Sequence, residues 1–558
     1  MKSDITRDTF VAAKNFSRVI RQQGRVDVDA DANEQTSILL HYLRTLATDL
    51  IGPYAAPVMA AGFRLSKDSN ESLEISAGRY YVDGILVENN SPVLYSQQPD
   101  YPLLEDDAFA KALIDKQDAT YWLYLDVWER HITALEDESI REKALGGPDT
   151  CSRAKVTWQV KALDVGDNAR EELKKKRQEL LTTKLNTLET QLAATTDSNL
   201  AKAKIQDRID RVKAQLATLE KPEPDNFTSG CPYPLDFLLP ISDALMGARV
   251  DPGAQIVDAC VTSPDSKYLG AENQLYRVEV HRGGVAGEAT FKWSRDNASV
   301  ATAWIGSSGH ELEVADARGF AAGNWVELSD DNAELRGLSG VLARVTKVEG
   351  GTLSVDPDSV TNANDLVWTE DLVNPKLRRW DHFETEDIVL EPDGAILITE
   401  TPVGVSDADA NWISLEDGIQ VRFAEGGEYR TGDYWLIPAR VAAGNIEWPA
   451  SESDAFVSLT AQIAPQGVVH HYAPLGFAIW PNQKLELHGC NCEFEPLSSC
   501  FVGGSVAVGA NLLRDQMFAQ MRERAVRVTA AKPARGTRTT SRITTRRTSK
   551  KGPGELKG

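Results

Sequence analysis

The opening of the chain carries apolar residues at helical spacing. Ile38, Leu39, Tyr42, Leu43, Leu46 and Leu50 recur three and four apart. Asp31 with Glu34 three residues on reads as a helix start, and Gly52-Pro53 as its stop. Residues 1–55 are therefore read as a helical docking segment for the domain that follows. From residue 56 the period changes to two. Leu73–Glu88 reads as strands broken at Gly78 and Gly84, and Thr120–Glu129 and Val156–Val160 are rich in aromatic and β-branched residues. These place a β domain at 56–165.

The period changes again over 166–222. Leu181, Leu185, Leu188 and Leu192 are spaced 4, 3, 4, and Ile205, Ile209, Val212, Leu216 and Leu219 are spaced 4, 3, 4, 3. This is the seam of a coiled coil on two helices, with a turn at Thr195–Asn199. Each helix of roughly 24 residues should extend about 36 Å. We read an inserted antiparallel helical hairpin that pairs within itself or packs on a neighbouring subunit. After a Pro-rich return (Pro222 to Pro240), strands resume over 223–306 with Leu275–Val280, Ala289–Trp293 and Ser299–Trp304. Short strands with Gly, Asp and Asn turns predict a small barrel-like module at 307–360. A C-terminal β domain is expected at 361–505, with Gly418–Phe423 and Tyr434–Ile437 as its clearest strands. The fold class is mainly β and multi-domain. Residues 506–558 read as a helix followed by a disordered basic tail.

Composition narrows the classes. The 558 residues are 42% hydrophobic and 25% charged, ordinary globular usage. No apolar run is long enough for a transmembrane helix, and the opening residues carry no apolar signal region. Cytoplasmic synthesis without a signal peptide is the expectation. Net charge is −22, yet Arg522–Gly558 holds twelve Lys/Arg against two Asp/Glu, which is +10 and leaves −32 elsewhere. An acidic body argues against broad nucleic-acid binding. The tail, with Arg535, Arg538, Arg542, Arg546, Arg547, Lys550 and Lys551, suits an anionic membrane or an acidic partner.

Candidate chemistry is sparse. His488, Cys490, Cys492 and Cys500 form the most metal-like cluster, but Cys-x-Cys is tighter than the usual zinc spacing and no second pair accompanies it. Reduced thiols, a disulfide and a metal all remain open there. Asp27, Asp29, Asp31 and Asn33 alternate like a calcium loop, but Ala32 stands where Gly is needed and Ile38 where Glu is needed. His470 and His471 are adjacent, so on a strand they point to opposite faces. The sequence contains no Gly-x-Ser-x-Gly, no His-Glu-x-x-His and no phosphate loop. No cofactor is expected, and the chain is read as non-enzymatic. Nine tryptophans (Trp122, Trp128, Trp158, Trp293, Trp304, Trp325, Trp380, Trp435 and Trp448) fall in or beside strand-like segments and are expected mostly in cores.

Several strings resemble a large bacterial family of unassigned biochemical function, associated with extracellular contractile injection systems, the phage-tail-like particles. They are Arg7-Asp-Thr-Phe10, Gln22–Glu34, Leu125–His131, Ala144–Thr150, Glu272–Glu279, Ala289–Arg295, Leu415–Val421, Tyr429–Arg440 and His471–Leu475. The likeness runs in order from residue 1 to about 500, and the helical hairpin and basic tail stand outside it. The opening segment also looks like the N-terminal segments of some phage baseplate and tail proteins. The resemblance implies a structural or accessory part of such a particle, at the baseplate, tip or fibre attachment. It implies baseplate, spike or fibre proteins as partners, homo-oligomers, and a particle that is released or membrane-associated. In this reading the partner-binding candidates are Arg7, Phe10, Gln23, Arg25, Asp31, Asn33 and Glu34, with the basic tail. A glycan-binding receptor module and a carbohydrate-active enzyme are the alternatives. The first requires an exposed Trp/Tyr cluster, the second two carboxyl groups about 5–10 Å apart in a cleft.

Overall fold

The structure, a computed structural model, describes residues 1–68, 72–115, 119–165, 169–194, 199–219, 244–252, 268–385, 388–402, 405, 410–449, 452–453 and 458–495. The predicted helix after residue 506, the basic tail and Cys500 lie outside the described residues, as does the Pro-rich return. The fold is mainly β. Its helices are α1 (Asp29–Ile51), α2 (Ala108–Asp115), α3 (Ala169–Ala194), α4 (Asn199–Leu219) and α5 (Asp331–Leu335).

Two large cores organise the strands. The first is a sandwich. Gln274–Arg282 is the middle strand of one sheet, flanked by Thr290–Ser294 and Tyr434–Arg440. The facing sheet pairs Met246–Val250 with Ile419–Ala424. Between them Tyr276, Val278, Val280, Phe291, Trp293, Val421, Phe423, Trp435 and Ile437 pack in one cluster. The second core gathers around a long ribbon in which Thr120–Ile132 pairs with both Arg153–Asp164 and His471–Ile479. Trp158, Phe63, Tyr80, Tyr95, Phe109 and Trp480 fill it.

Sequence reading sets residues 361–505 apart as a separate C-terminal domain. In the structure its strands complete sheets begun hundreds of residues earlier, because Ile419–Ala424, Tyr434–Arg440 and His471–Ile479 pair with strands from 120 to 282. The barrel also differs in extent. It is a closed six-stranded ring running from Ala301–Ser308 to Lys376–Trp380 rather than a module confined to 307–360. The strand after Val300 leaves the preceding sheet and pairs with both Glu311–Val314 and Lys376–Trp380. Closure removes two open edges, which is the physical reason for recruiting both flanking strands. Trp304, Leu312, Val326, Val345, Leu353 and Leu377 fill the ring.

Helices α3 and α4 pack along the apolar positions of both, with Leu181, Leu188, Ile205, Ile209, Val212 and Leu219 buried. The salt bridge from Lys213 to Glu189 (2.9 Å) ties one helix to the other. At the body the pair meets a loop through Arg177–Glu428 (3.6 Å). Residues 169–219 contain no tryptophan. Ile209→Asp is therefore expected to remove helical circular dichroism at a local cost of roughly 2–5 kcal/mol. The tryptophan-detected unfolding of the body should stay put, and a joint shift of both signals would show that the hairpin is integral to it.

Candidate functional site: a buried anchor and an exposed arm

Residues 1–9 lie against the junction of sandwich and barrel. Lys2 Nζ sits 2.9 Å from Glu279 and 5.5 Å over the Trp380 ring. Glu279 also accepts from Arg277 Nε (2.6 Å) and lies 3.6 Å from Lys292. Lys292 in turn donates to Glu327 (2.5 Å) and to His281 Nδ1 (3.3 Å). Glu327 completes its shell with Trp380 Nε1 (2.8 Å) and Gly340 N (3.0 Å). Arg277, Glu279, Lys292 and Glu327 are all buried. Asn297 Nδ2 donates to the carbonyls of Met1 (3.1 Å) and Ser3 (2.8 Å), and Ser3 Oγ meets His131 Nε2 at 2.6 Å.

Burial raises the Glu279 carboxyl, but Lys2, Arg277 and Lys292 outweigh it and bring it to about 2. Glu327 is likewise held well below the usual range: burial pushes it up, and Lys292 and Lys2 pull it down. Burial, and then Lys292, press His281 to about 3, so its ring is neutral and accepts from the ammonium. His131 falls to about 3, by burial first. Ser3 and His131 have the spacing of a nucleophile and its base, but no carboxylate bonds His131 Nδ1 among the described residues, and Ser3 Oγ also meets Ser152 Oγ at 2.6 Å. The arrangement grips the chain, with Ser3 and His131 both half-buried.

Past the anchor the chain feeds into α1. Thr6 donates twice to Asp29, from N (2.9 Å) and from Oγ1 (2.7 Å). Arg7 bonds Glu447 (2.6 Å), which also accepts from Arg440 (3.1 Å). A cavity of about 400 Å³ lies beside them, lined by Asp4, Thr6, Arg7, Asp29, Asp296 and Arg440 among others. Thr9 bonds Glu34 (2.7 Å), Phe10 meets His41 at 5.7 Å between ring centres, and Val19 N donates to Gln35 (2.9 Å). The helix begins at Asp29 with Val28 as its N-cap, three residues before Asp31, the expected cap. Asp31 thus lies in the first turn, and Asp29, which would otherwise point to water, holds Thr6. At its middle α1 rests on the Asp83–Gly84 turn, where a Cβ on Gly84 would come within 2.2 Å of the Arg44 carbonyl. Gly84 has φ +76, which only glycine adopts freely.

The docking expectation for α1 needs correction. Of its 23 residues only Ala30 and Ile38 are buried. Leu39, Leu40, Tyr42, Leu43, Leu46 and Leu50 are exposed, and Phe16, Ile20, Val26 and Val28 of the lead-in segment join them. The apolar stripe faces away from the body, while polar residues and Ile38 face it. Exposed apolar surface of this extent marks an interaction site.

Residues 1–556 match a family of unknown function, DUF6519. The chain belongs to this family. No curated protein matches it. A solved structure titled "Crystal structure of TssK" aligns with 65% of this chain and 98% of its own at 10% identity, with a TM-score of 0.15, which carries no argument about role.

The other predicted positions in this family member disperse. Gln23, Arg25 and Asn33 are exposed, the first two beside the turn at Gly24. His488 is exposed, Cys490 half-buried and Cys492 exposed, and they do not bring three ligand atoms together. Among the described residues the one such gathering is Glu136, Asp331 and Glu334. Lys376 Nζ sits among these three at 2.5, 3.4 and 2.9 Å, and Arg130 bonds two of them, so cations of the chain already fill it. His470 bonds Asp126 and His471 bonds Asp83, each at under 3 Å and on opposite sides of the strand. The anchor itself escaped the sequence reading. Its one signal was charge inside strongly apolar strands, as in Phe291-Lys-Trp293 and Val278-Glu-Val280.

Proposed function

We propose that this chain is a structural component of a contractile injection or phage-tail-like particle, in its baseplate, tip or fibre-attachment region. It acts through protein–protein contacts and catalyses no step. The observation that carries this reading is the arm of residues 10–50. A row of large apolar side chains stands in solvent on a helix whose approach, residues 1–9, is held to the body by the Lys2–Glu279 ion pair and by Asn297 on the carbonyls of Met1 and Ser3. An isolated globular chain gains nothing from that arrangement, whereas a subunit waiting for its neighbour does. The ordered strings shared with the injection-system-associated family point the same way, and baseplate, spike or fibre proteins are the partners they suggest. The particle would be built in the cytoplasm, then released or held at a membrane. The basic tail is free in this reading to meet an anionic surface. Every described tryptophan is buried or half-buried.

The test is affinity purification of a C-terminally tagged chain from its native host, with mass spectrometry and negative-stain imaging. Sheath, tube and baseplate proteins are expected at fixed stoichiometry. A chain that emerges free of them overturns the proposal.

A further inference from the structure

The exposed stripe on α1 has a finer grammar than apolarity. Thr36, Leu39, Leu43, Leu46 and Leu50 are spaced 3, 4, 3, 4. That is the spacing α3 and α4 use to pack on each other, but among the described residues no helix packs along α1. Taking Thr36, Leu43 and Leu50 as a positions makes Ala32, Leu39 and Leu46 the d positions. Apart from Asp29 at the first a position, which holds Thr6, and Gln35 at g, which holds Val19 N, the contacts to the rest of the chain then fall on the other side of the same wheel. Ala30 and Arg44 are b, Ile38 is c, and Glu34 and His41 are f. From Thr36 onward one side of the helix is spent on the body, and the side left over is the a/d side that a coiled coil uses.

We propose that α1 pairs with α1 of a second copy of this chain, in parallel, through the Thr36–Leu50 seam. The flanking positions favour a like partner. In a parallel pair g faces the e of the next heptad on the partner helix, which sets Gln35 against Leu40 and Tyr42 against Ala47. No like charges meet, and no charge awaits an opposite one on a different chain. Area points the same way. The side chains from Leu39 to Leu50 that line the stripe are between 40% and 63% exposed. They offer roughly 500 Å² per copy, so a symmetric pair withdraws about 1,000 Å², the threshold for a specific interface. Ile20, next to the residue that bonds Gln35, extends it. Two heptads alone pair weakly. Here the helix is already formed and fixed on its b, c and f side, so pairing spends little conformational entropy. The resulting contact is isologous, about a two-fold axis along the coil.

This deepens the assembly reading and rests on it, because it names the partner of the same arm. The experiment is sedimentation velocity on the purified full chain, with Leu43→Glu/Leu46→Glu as the disrupting variant and Val389→Glu, an exposed apolar residue elsewhere, as control. The wild type and control are expected to dimerise in the micromolar range. The double variant should be at least about a hundredfold weaker, since each copy would bury two carboxylates in the seam. Its unchanged tryptophan-detected unfolding would show that the body remains folded. A wild type that stays monomeric at tens of micromolar overturns the proposal, as does a dimer indifferent to the double variant. The two readings separate cleanly. A monomeric wild type whose double variant loses its co-purifying particle proteins ends self-pairing and leaves assembly standing. A seam-dependent dimer that brings down no particle protein does the reverse.

Discussion

Glu279→Ala is expected to be the most damaging single substitution in the body, at roughly 3–5 kcal/mol of unfolding free energy. Glu279 stands between three cations, Lys2 at 2.9 Å, Arg277 at 2.6 Å and Lys292 at 3.6 Å. Its removal leaves those cations facing one another with Glu327 as the nearest compensation. Arg277 and Lys292 are buried, so water cannot take over. Replacing a whole buried ion pair by apolar groups costs far less than breaking it. Adding Lys292→Met to Glu279→Ala should therefore recover part of the loss, although it deprives Glu327 of its closest partner. Urea unfolding followed by tryptophan emission reads the effect, because Trp380 borders the cluster and Trp293 sits in the adjoining sandwich core. A loss under about 1 kcal/mol would mean that the cluster is hydrated and that the anchor holds residues 1–9 only loosely. A further consequence reaches the arm. With Glu279 gone Lys2 loses its counter-ion, so amide exchange should rise across residues 1–9 before it rises in the sandwich.

What could be read from the chain alone was local. The alternation in Leu275–Val280 announces a strand correctly, because pleating is a property of consecutive residues. The same alternation suggests that Arg277 and Glu279 face water, and here it misleads. Their face is covered by residues 1–9, more than 270 positions away in sequence. The seams of α3 and α4 were legible because both partners lie within one short stretch. The seam of α1 was legible as a helix, but not as to which side it shows the body. That depends on Gly84 and Asp29, whose roles are settled by contacts made elsewhere. The domain boundaries failed for the same reason. Nothing in His471–Ile479 says that its partner is Thr120–Ile132, since pairing is chosen by the fold and only permitted by the residues. His488, Cys490 and Cys492 show the converse, proximity in sequence without three ligand atoms converging among the described residues.

Acidification supplies the second large effect, and its sign follows from the buried histidines. An unfolded histidine takes up a proton near pH 6.5. Burial holds His382 at about 4, and burial together with Lys292 holds His281 at about 3. Between pH 6.5 and 4 the unfolded chain therefore binds more protons than the native one, and stability falls as pH falls. The stabilisation is complete above pH 6.5 and is lost progressively through that window. From pH 8 to pH 5 each of these two histidines should cost about 2 kcal/mol. His131, at about 3, acts in the same direction. A second decline belongs to the carboxylates. Glu279 and Glu136 are each brought to about 2 in the native state, so their contribution persists down to about pH 4.5 and disappears only below it. The urea midpoint measured at pH 8, 6 and 5 should step down, most steeply between the last two. His281→Gln/His382→Gln should start lower, because Lys292 and the Gly394 carbonyl lose their ring partners, but its profile should be flatter over the same range. A wild-type midpoint unchanged from pH 8 to pH 5 would mean that these rings protonate in the native state, and that the anchor junction admits water.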